Sequence, residues 1–401
     1  MNILRLTPHY YFESKQWPSE YDPLGGMQTQ ITHLTEKLVE RKIFQTVITS
    51  GYPGAESIQQ KYLRVIPVSH FIVRIKSKID GLVGFNMFWV MGVLKWIKHN
   101  KEKMGESDII HIHYSGVYAP IFISLLIKKF FPKKCQVITV HCSRNFTFIP
   151  PNLCSKFLNR LIKKMEINSI NHAKKVIVLT ERQKENYLSV GIQPDKIEVI
   201  GDSIPDYHLI KASKKVIGDD KWAKVLRTNK KKLTYVGRIS FEKGCERLIN
   251  IAEKLKREDV IFLVIGDGPQ KKMLLDQIRE RKLEKKFVFS GFISRMKIPY
   301  ILQNTDVLLV PSRHEEFGGI VIEGVAANVP IVTTGVGGIT RILGEDYNGI
   351  VGDNVERFCE KINMYLDGKK QSEYNRDEII KRYNCNSSID RICEIYKKSC
   401  L

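Results

Sequence analysis

Two carboxylates, Glu315 and Glu323, are separated by seven residues in the stretch 311–330, with Glu316 beside the first and the pair Gly318-Gly319 between them. Carboxylate oxygens accept hydroxyl hydrogen bonds strongly. A glycine pair at a helix start lets backbone N–H groups approach an anionic or hydroxyl oxygen. These residue types also fit a helix N-terminal charge pair followed by a solvated glutamate, and spacing alone leaves both readings open. A second candidate set is Arg238 and Lys243-Gly244, just past the apolar run 233–237. Two cations at a strand end can stabilise the charge that develops on a departing diphosphate. The plain alternative is two solvated cations in a chain with 64 of them. His113 and His141 each close an apolar β-type run. A histidine in that place is either a hydrogen-bonded structural residue or a ligand contact.

The elements that must position these residues alternate. Residues 306–311 read as a short buried strand, 320–327 as an apolar helix and 331–334 as a β-branched strand. This βαβ unit places the Glu315 loop at the carboxyl end of a strand, where open α/β sheets bind ligands. Upstream, strands are expected at 233–237, 260–265 and 287–293, with helices at 245–256, 271–282 and 295–303. The first half begins with a strand at 1–7, then a polar and aromatic loop ending in Gly25-Gly26, a helix at 27–39 and a strand at 44–49. Further strands are expected at 108–113, 135–141, 173–180 and 196–200. Gly25-Gly26 opens its helix in phosphate-loop fashion, but Gly-x-Gly-x-x-Gly is absent. Alternation through both halves predicts an α/β fold of two doubly wound, Rossmann-like domains facing across a cleft. The domains are expected at 1–204 and 205–385, joined by a lysine-rich segment, and 386–401 carries an amphipathic terminal helix.

The chain has 401 residues, 43% apolar, and a formal net charge of +21. Length and apolar content suit two globular domains and exclude a disordered class. The charge calls for an anionic substrate, a membrane surface or a nucleic acid. No basic–aromatic stripe or nucleic-acid-binding motif is present, so no nucleic-acid partner is expected. The eight cysteines are scattered without a Cys-x-x-Cys, which predicts reduced thiols in a cytoplasmic protein and no zinc. A strand is read from the first residues, so no signal peptide is expected. The apolar segment 81–97 contains Asn86 and Lys95 and falls short of a spanning helix, so a core or interfacial helix is expected.

Pro311-Ser-x2-Glu315-x-Phe317-Gly318 with Glu323 eight positions after Glu315 resembles the signature of the retaining glycosyltransferases of family 4, which have the two-domain GT-B architecture. The resemblance implies that Glu315 contacts the donor sugar and that Glu323 accepts the ribose hydroxyls. It also implies donor contacts from Phe317, Gly318 and Gly319. Gly237-Arg238-x4-Lys243-Gly244 resembles the diphosphate clamp of that family. Gly291-Phe292-Ile293 resembles the turn that holds uracil through its backbone. His141 is implied near the donor sugar, and the Gly25-Gly26 loop near the donor phosphate. The terminal helix is implied to cross back to the first domain. No Asp-x-Asp is present, so the cations are expected to do the work of a metal, and neither metal nor other cofactor is expected. The chain departs from the family in lacking Pro-Asn-Gly near 201–205 and in carrying Arg341, three positions after Gly338, where glutamate is common.

The segments 4–12, Trp17-Pro18 and 21–31 look like the glycosyltransferases of aminoglycoside antibiotic biosynthesis. That resemblance implies transfer of N-acetylglucosamine, or glucose, from a UDP-sugar to 2-deoxystreptamine, giving 2′-N-acetylparomamine. The acceptor is a dication, so a local acidic pocket must oppose the net charge. Glu13, Glu20 and Asp22, beside Tyr10, are the candidates, with carboxylates and aromatic faces for the amines. A solvated loop is the alternative. Two other functions remain at this level: a membrane-surface glycosyltransferase of envelope polysaccharide or glycolipid synthesis, and a basic nucleic-acid-binding protein.

Overall fold

The computed structural model describes residues 1–12, 26–51, 55–69, 87–116, 118–147, 153–206, 221–368 and 373–400. Glu13, Glu20, Asp22 and Gly25, and the segment 81–86, lie outside them. The chain forms two compact units, Met1–Gly201 with Asn386–Leu401, and Asp202–Cys385. The break falls three residues ahead of the expected 204/205 boundary, and the terminal helix Cys385–Cys400 belongs with the first unit.

The first unit is built on eight strands: β1 (Asn2–Leu6), β2 (Phe44–Ser50), β3 (Ile58–Gln60), β4 (Leu63–Ser69), β5 (Ile109–Ser115), β6 (Cys135–Cys142), β7 (Lys175–Val178) and β8 (Ile197–Val199). Their order in the sheet is β3-β4-β2-β1-β5-β6-β7-β8, parallel throughout except for the β3–β4 hairpin. That hairpin is not among the expected strands; Pro67 and the polar residues Gln59 and Gln60 mask its β pattern. The edge strand β3 tolerates the polar pair, and Pro67 lies beyond the residues of β4 that pair with β3. One sheet face carries Leu4, Leu6, Ile48, Ile110, Ile112, Ile138, Val140, Val176 and Val178 into the main core. Side chains alternate along a strand, so the opposite face receives Arg5, Gln45, His111, His113, Thr139 and His141. These polar side chains are buried there among Ile3, Val47, Ile109, Val137 and Ile177.

The second unit has five parallel strands: β9 (Lys231–Val236), β10 (Val260–Ile265), β11 (Phe287–Gly291), β12 (Val307–Val310) and β13 (Ile331–Thr333). Their order is β11-β10-β9-β12-β13. β10 and β12 are buried along their whole length, as expected of parallel strands covered on both faces. The helix Gly319–Ala326 lies so close to the sheet that a Cβ on Gly324 would come within 2.6 Å of the Leu308 side chain. Glycine there sets the depth of packing.

Helix Met87–His99 buries Trp89, Val90, Val93 and Ile97 and leaves Phe88, Met91 and Leu94 exposed. No helix among the described residues is long and apolar enough to cross a membrane.

Candidate active site

In the second unit the chain leaves β9 towards β10 and β11, then returns on the other side as β12. This order reversal opens the loops after β9 and β12 side by side, the place where α/β sheets take ligands. The two loops are tied together. The N–H groups of Arg313 and His314 both donate to the Glu242 carbonyl, at 2.9 and 3.0 Å. The Arg247 guanidinium donates Nη1–H to the Pro311 carbonyl at 2.7 Å and Nε–H to Asp353 at 2.6 Å. Gly244 has φ +62°, and a Cβ there would sit 2.1 Å from the Pro311 carbonyl oxygen.

Within this frame Lys243 Nζ meets Glu315 Oε1 at 2.6 Å, and the Ser312 hydroxyl donates to the same oxygen at 2.9 Å. Glu315 is buried, and its charge is tolerated because two donors, one of them cationic, replace lost water. Among the described residues Oε2 receives no hydrogen bond. Sequence reasoning assigned Lys243 and Glu315 to different parts of a donor; the structure joins them in one ion pair.

The Glu315 loop is gripped from behind. A Cβ on Gly337 would lie 1.7 Å from the Glu315 carbonyl oxygen, and one on Gly338 2.3 Å from that of Phe317. The Thr334 hydroxyl donates to the Ser312 carbonyl at 2.6 Å. Phe317 is buried, edge-on to Tyr383 at 5.5 Å. Gly318 turns the chain at φ +92° and caps the helix that Gly319 opens, with no side-chain cap on the first N–H groups. Glu323 lies in the second turn of this helix. Its side chain is half-buried, and loss of water around the carboxyl pushes it up to about 8. That shift favours the protonated carboxyl at neutral pH.

Arg238 follows Gly237 at the end of β9 with its side chain exposed. Its carbonyl is fixed by the Tyr235 hydroxyl at 2.7 Å. Gly291 ends β11 at φ +68°. Phe292, 41% exposed, is not a core residue, and Ile293 is partly buried. Arg341 is exposed on the short helix Ile339–Leu343. Among the described residues no group of three or more His, Cys, Asp or Glu comes together in a way that could hold a metal ion.

In the first unit, His141 lies at the end of β6 and is 9% exposed. Its Nε2 is 3.0 Å from His113 Nδ1, and its buried Nδ1 has no hydrogen-bond partner among the described residues. His113 Nε2 in turn faces the Arg5 guanidinium, at 3.0 Å from Nη2 and 3.3 Å from Nε. Arg5 is fully buried and also donates to Thr35 Oγ1 at 2.6 Å and Gln45 Oε1 at 3.1 Å. Among the described residues no carboxylate pairs with it. His111 stands between Tyr396 of the terminal helix, 2.6 Å, and Thr139, 2.7 Å. Burial, with Arg5 nearby, lowers the basicity of all three histidines, that of His141 to about 3. Sequence reasoning gave weight to His141 and missed Arg5, His111 and Tyr396. A charge centred in the apolar strand Asn2–Leu6 was the available signal.

Gly26 begins the helix Gly26–Glu40. Tyr10 is buried in a cluster with Phe12, Ile31, Val47, Leu63 and Val65, its ring edge-on to that of Phe12 at 5.3 Å.

Comparison with known proteins agrees with this geometry. Residues 24–205 match the model of Glycosyltransferase Family 4, and residues 216–382 that of Glycosyl transferases group 1. The 2-deoxystreptamine N-acetyl-D-glucosaminyltransferase of Niallia circulans is 34% identical over 90% of this chain and 94% of its own. The 2-deoxystreptamine glucosyltransferase of Streptomyces kanamyceticus is 29% identical over 80% and 83%. Among solved structures, Anabaena HepE in complex with UDP-glucose matches with TM-score 0.73 and 17% identity, over 99% of this chain and all of that one. The two parallel-sheet units are those of a hexosyltransferase with the GT-B fold. The chain belongs to the family 4 glycosyltransferases, as expected from the Glu315–Glu323 stretch.

Proposed function

We propose that this enzyme transfers N-acetylglucosamine from UDP-N-acetylglucosamine to 2-deoxystreptamine with retention of the α configuration, giving 2′-N-acetylparomamine and UDP. The carrying observation is the Lys243–Glu315 pair at the β9–β12 reversal, which puts a cation and a buried carboxylate together at a ligand-binding edge. Names of relatives support the acceptor and the sugar, and the UDP-glucose complex of a structural neighbour supports the class of donor. Glucose is the competing donor sugar.

In this reading the second unit takes the nucleotide sugar and the first the acceptor. Arg238 and Lys243 hold the diphosphate, and the Gly318-Gly319 helix start adds backbone N–H groups. Glu323 accepts the ribose hydroxyls, and the Gly291–Ile293 backbone takes the uracil. Glu315 Oε2 contacts the transferred sugar. The family resemblance gives His141 its sugar contact and Gly26 its place near the donor phosphate. Gly25, and the acids Glu13, Glu20 and Asp22 on the acceptor side, complete the assignment. As the C1–O bond to phosphate breaks, charge grows on the departing oxygen. Lys243, already held by Glu315, and Arg238 stabilise it. The acceptor hydroxyl attacks C1 from the same face, and its proton passes to the leaving phosphate. No metal is required in this scheme.

A second reading, transfer to a lipid acceptor at a membrane surface, draws on one feature. Helix Leu153–His172 exposes Leu153, Phe157 and Leu161 on the face that also shows Lys156, Arg160 and Lys164. This pattern suits an anionic bilayer. Mass spectrometry of a donor-by-acceptor matrix, with and without EDTA, tests the first reading. A product of one N-acetylglucosamine joined to 2-deoxystreptamine, α-linked by NMR and formed in EDTA, is expected. No product with any aminocyclitol, together with co-sedimentation on anionic vesicles, would move the assignment to the second.

A further inference from the structure

A guanidinium has hydrogen-bond donors and no acceptor. His113 Nε2, 3.0 Å from one Arg5 nitrogen and 3.3 Å from another, must therefore present its lone pair to Arg5. The ring proton of a neutral His113 is then on Nδ1, which points at His141 Nε2, 3.0 Å away. His141 Nε2 accepts, so the His141 proton is on Nδ1. That atom is buried and has no partner among the described residues. One fixed charge at the centre of the sheet thus sets the tautomer of two rings in series and leaves a single N–H donor at the end of β6.

The same chain resists protonation. A proton added to His141 Nε2 would face His113 Nδ1–H, and moving that proton on would set His113 Nε2–H against Arg5. The groups around the pair are Arg5 on β1, His9 just beyond it, His111 on β5 and the Tyr396 hydroxyl on the terminal helix; Arg5 and His9 both act electrostatically against a charge on His141. We propose that Arg5 and His113 are positioning residues that hold His141 as a neutral, Nδ1-protonated ring, so that it gives the transferred sugar a hydrogen bond and never acts as its base. This rests on the proposed sugar contact of His141. A donor-only edge pairs with a hydroxyl or carbonyl oxygen of the sugar, and the acceptor's proton must leave by another route, to the phosphate.

The test reads the ring nitrogens directly. Protein labelled with 15N-histidine is studied without ligand from about pH 6 to 8, with His141→Asn to assign the signal. The expected result is one His141 species, protonated at Nδ1 and bare at Nε2. An Nε2–H tautomer or an imidazolium in that range overturns the proposal. His113→Phe should release His141 to a mixture of tautomers and move the acid limb of kcat/KM to higher pH than in the parent. His113→Gln, whose amide oxygen can accept from Arg5 and whose amide N–H can donate to His141, should restore the single tautomer and the parent's profile. If His113→Phe does not fold, Arg5→Met carries the same expectation. A His141 signal unchanged in the folded Phe or Met variant also overturns the proposal. Because the ring is read without substrate, a protein that transfers no sugar refutes the proposed function and leaves this result standing.

Discussion

Lys243 and Glu315 show how one contact can serve two ends. Alone, a carboxylate as buried as Glu315 would be costly; against Lys243 and Ser312 it is held in place and it holds the lysine in turn. In Lys243→Ala the diphosphate loses a cation and Glu315 loses its partner. Its kcat should fall by about two orders of magnitude or more. Arg238→Ala, at an exposed side chain, should cost a similar factor with unchanged thermal unfolding. Normal turnover by either folded variant would remove it from the leaving-group site. Glu323 gives a different signature. Its carboxyl, raised to about 8, favours the protonated form in the free enzyme at neutral pH, whereas ribose hydroxyls donate best to the ionised form. Donor binding must then expel a proton. Affinity for the UDP-sugar should rise about tenfold per pH unit from about 6 to 8 and level off above, with close to one proton released at pH 7. Calorimetry in buffers of different ionisation enthalpy measures this. Equal heats across buffers would show that Glu323 stays neutral in the complex, and Glu323→Gln should bind more weakly with no such slope.

At the scale of elements, the loops matter more than the strands they follow. A Cβ on Gly337, at φ +62°, would run into the Glu315 carbonyl at 1.7 Å, and the obstacle is backbone that cannot turn aside. Gly337→Ala should cost about 2 kcal/mol or more of stability and should weaken donor binding, since the Glu315 loop must move. A urea midpoint and donor affinity equal to the parent's would show that the cradle does not set the loop. Gly344→Ala is a useful contrast: φ is +90° but no atom lies near the added carbon, so it carries backbone strain without touching the loop. The comparison also shows what could be read in advance. Strands β10 and β12, the helix after Gly319 and the loops between them follow from apolar runs bounded by glycine and proline. The link between the β9 and β12 loops did not follow, because strand order is set by pairings distant in sequence. Nor did the buried polar side chains of the first sheet. His111, His113, Thr139 and His141 alternate with isoleucine and valine in strands that read as buried, but one strand alone does not show what its polar residues meet across the sheet. Arg5 lies in a different strand from all of them, and only the β1–β5 pairing brings it to His113.

At the scale of the whole molecule, the charge of +21 acts differently on the two proposed substrates. A UDP-sugar is a dianion and is drawn in; 2-deoxystreptamine is a dication and is pushed away. The screening length falls from about 30 Å at 0.01 M salt to about 8 Å at 0.15 M. Over that range the KM for the donor should rise about threefold or more as attraction is lost, while the KM for the acceptor should fall or hold steady as repulsion is lost. Steady-state kinetics with each substrate varied separately provides both slopes. A parallel rise in both would mean that acids near the acceptor outweigh the global charge. Asp22→Asn and Glu13→Gln should then raise the acceptor KM and flatten its salt slope, leaving the donor KM unchanged. A donor KM indifferent to salt would leave the basic surface without a role in nucleotide-sugar capture. The lysine- and arginine-bearing face of helix Leu153–His172 would then be the part of that charge to follow, with anionic vesicles whose binding weakens over the same range of salt.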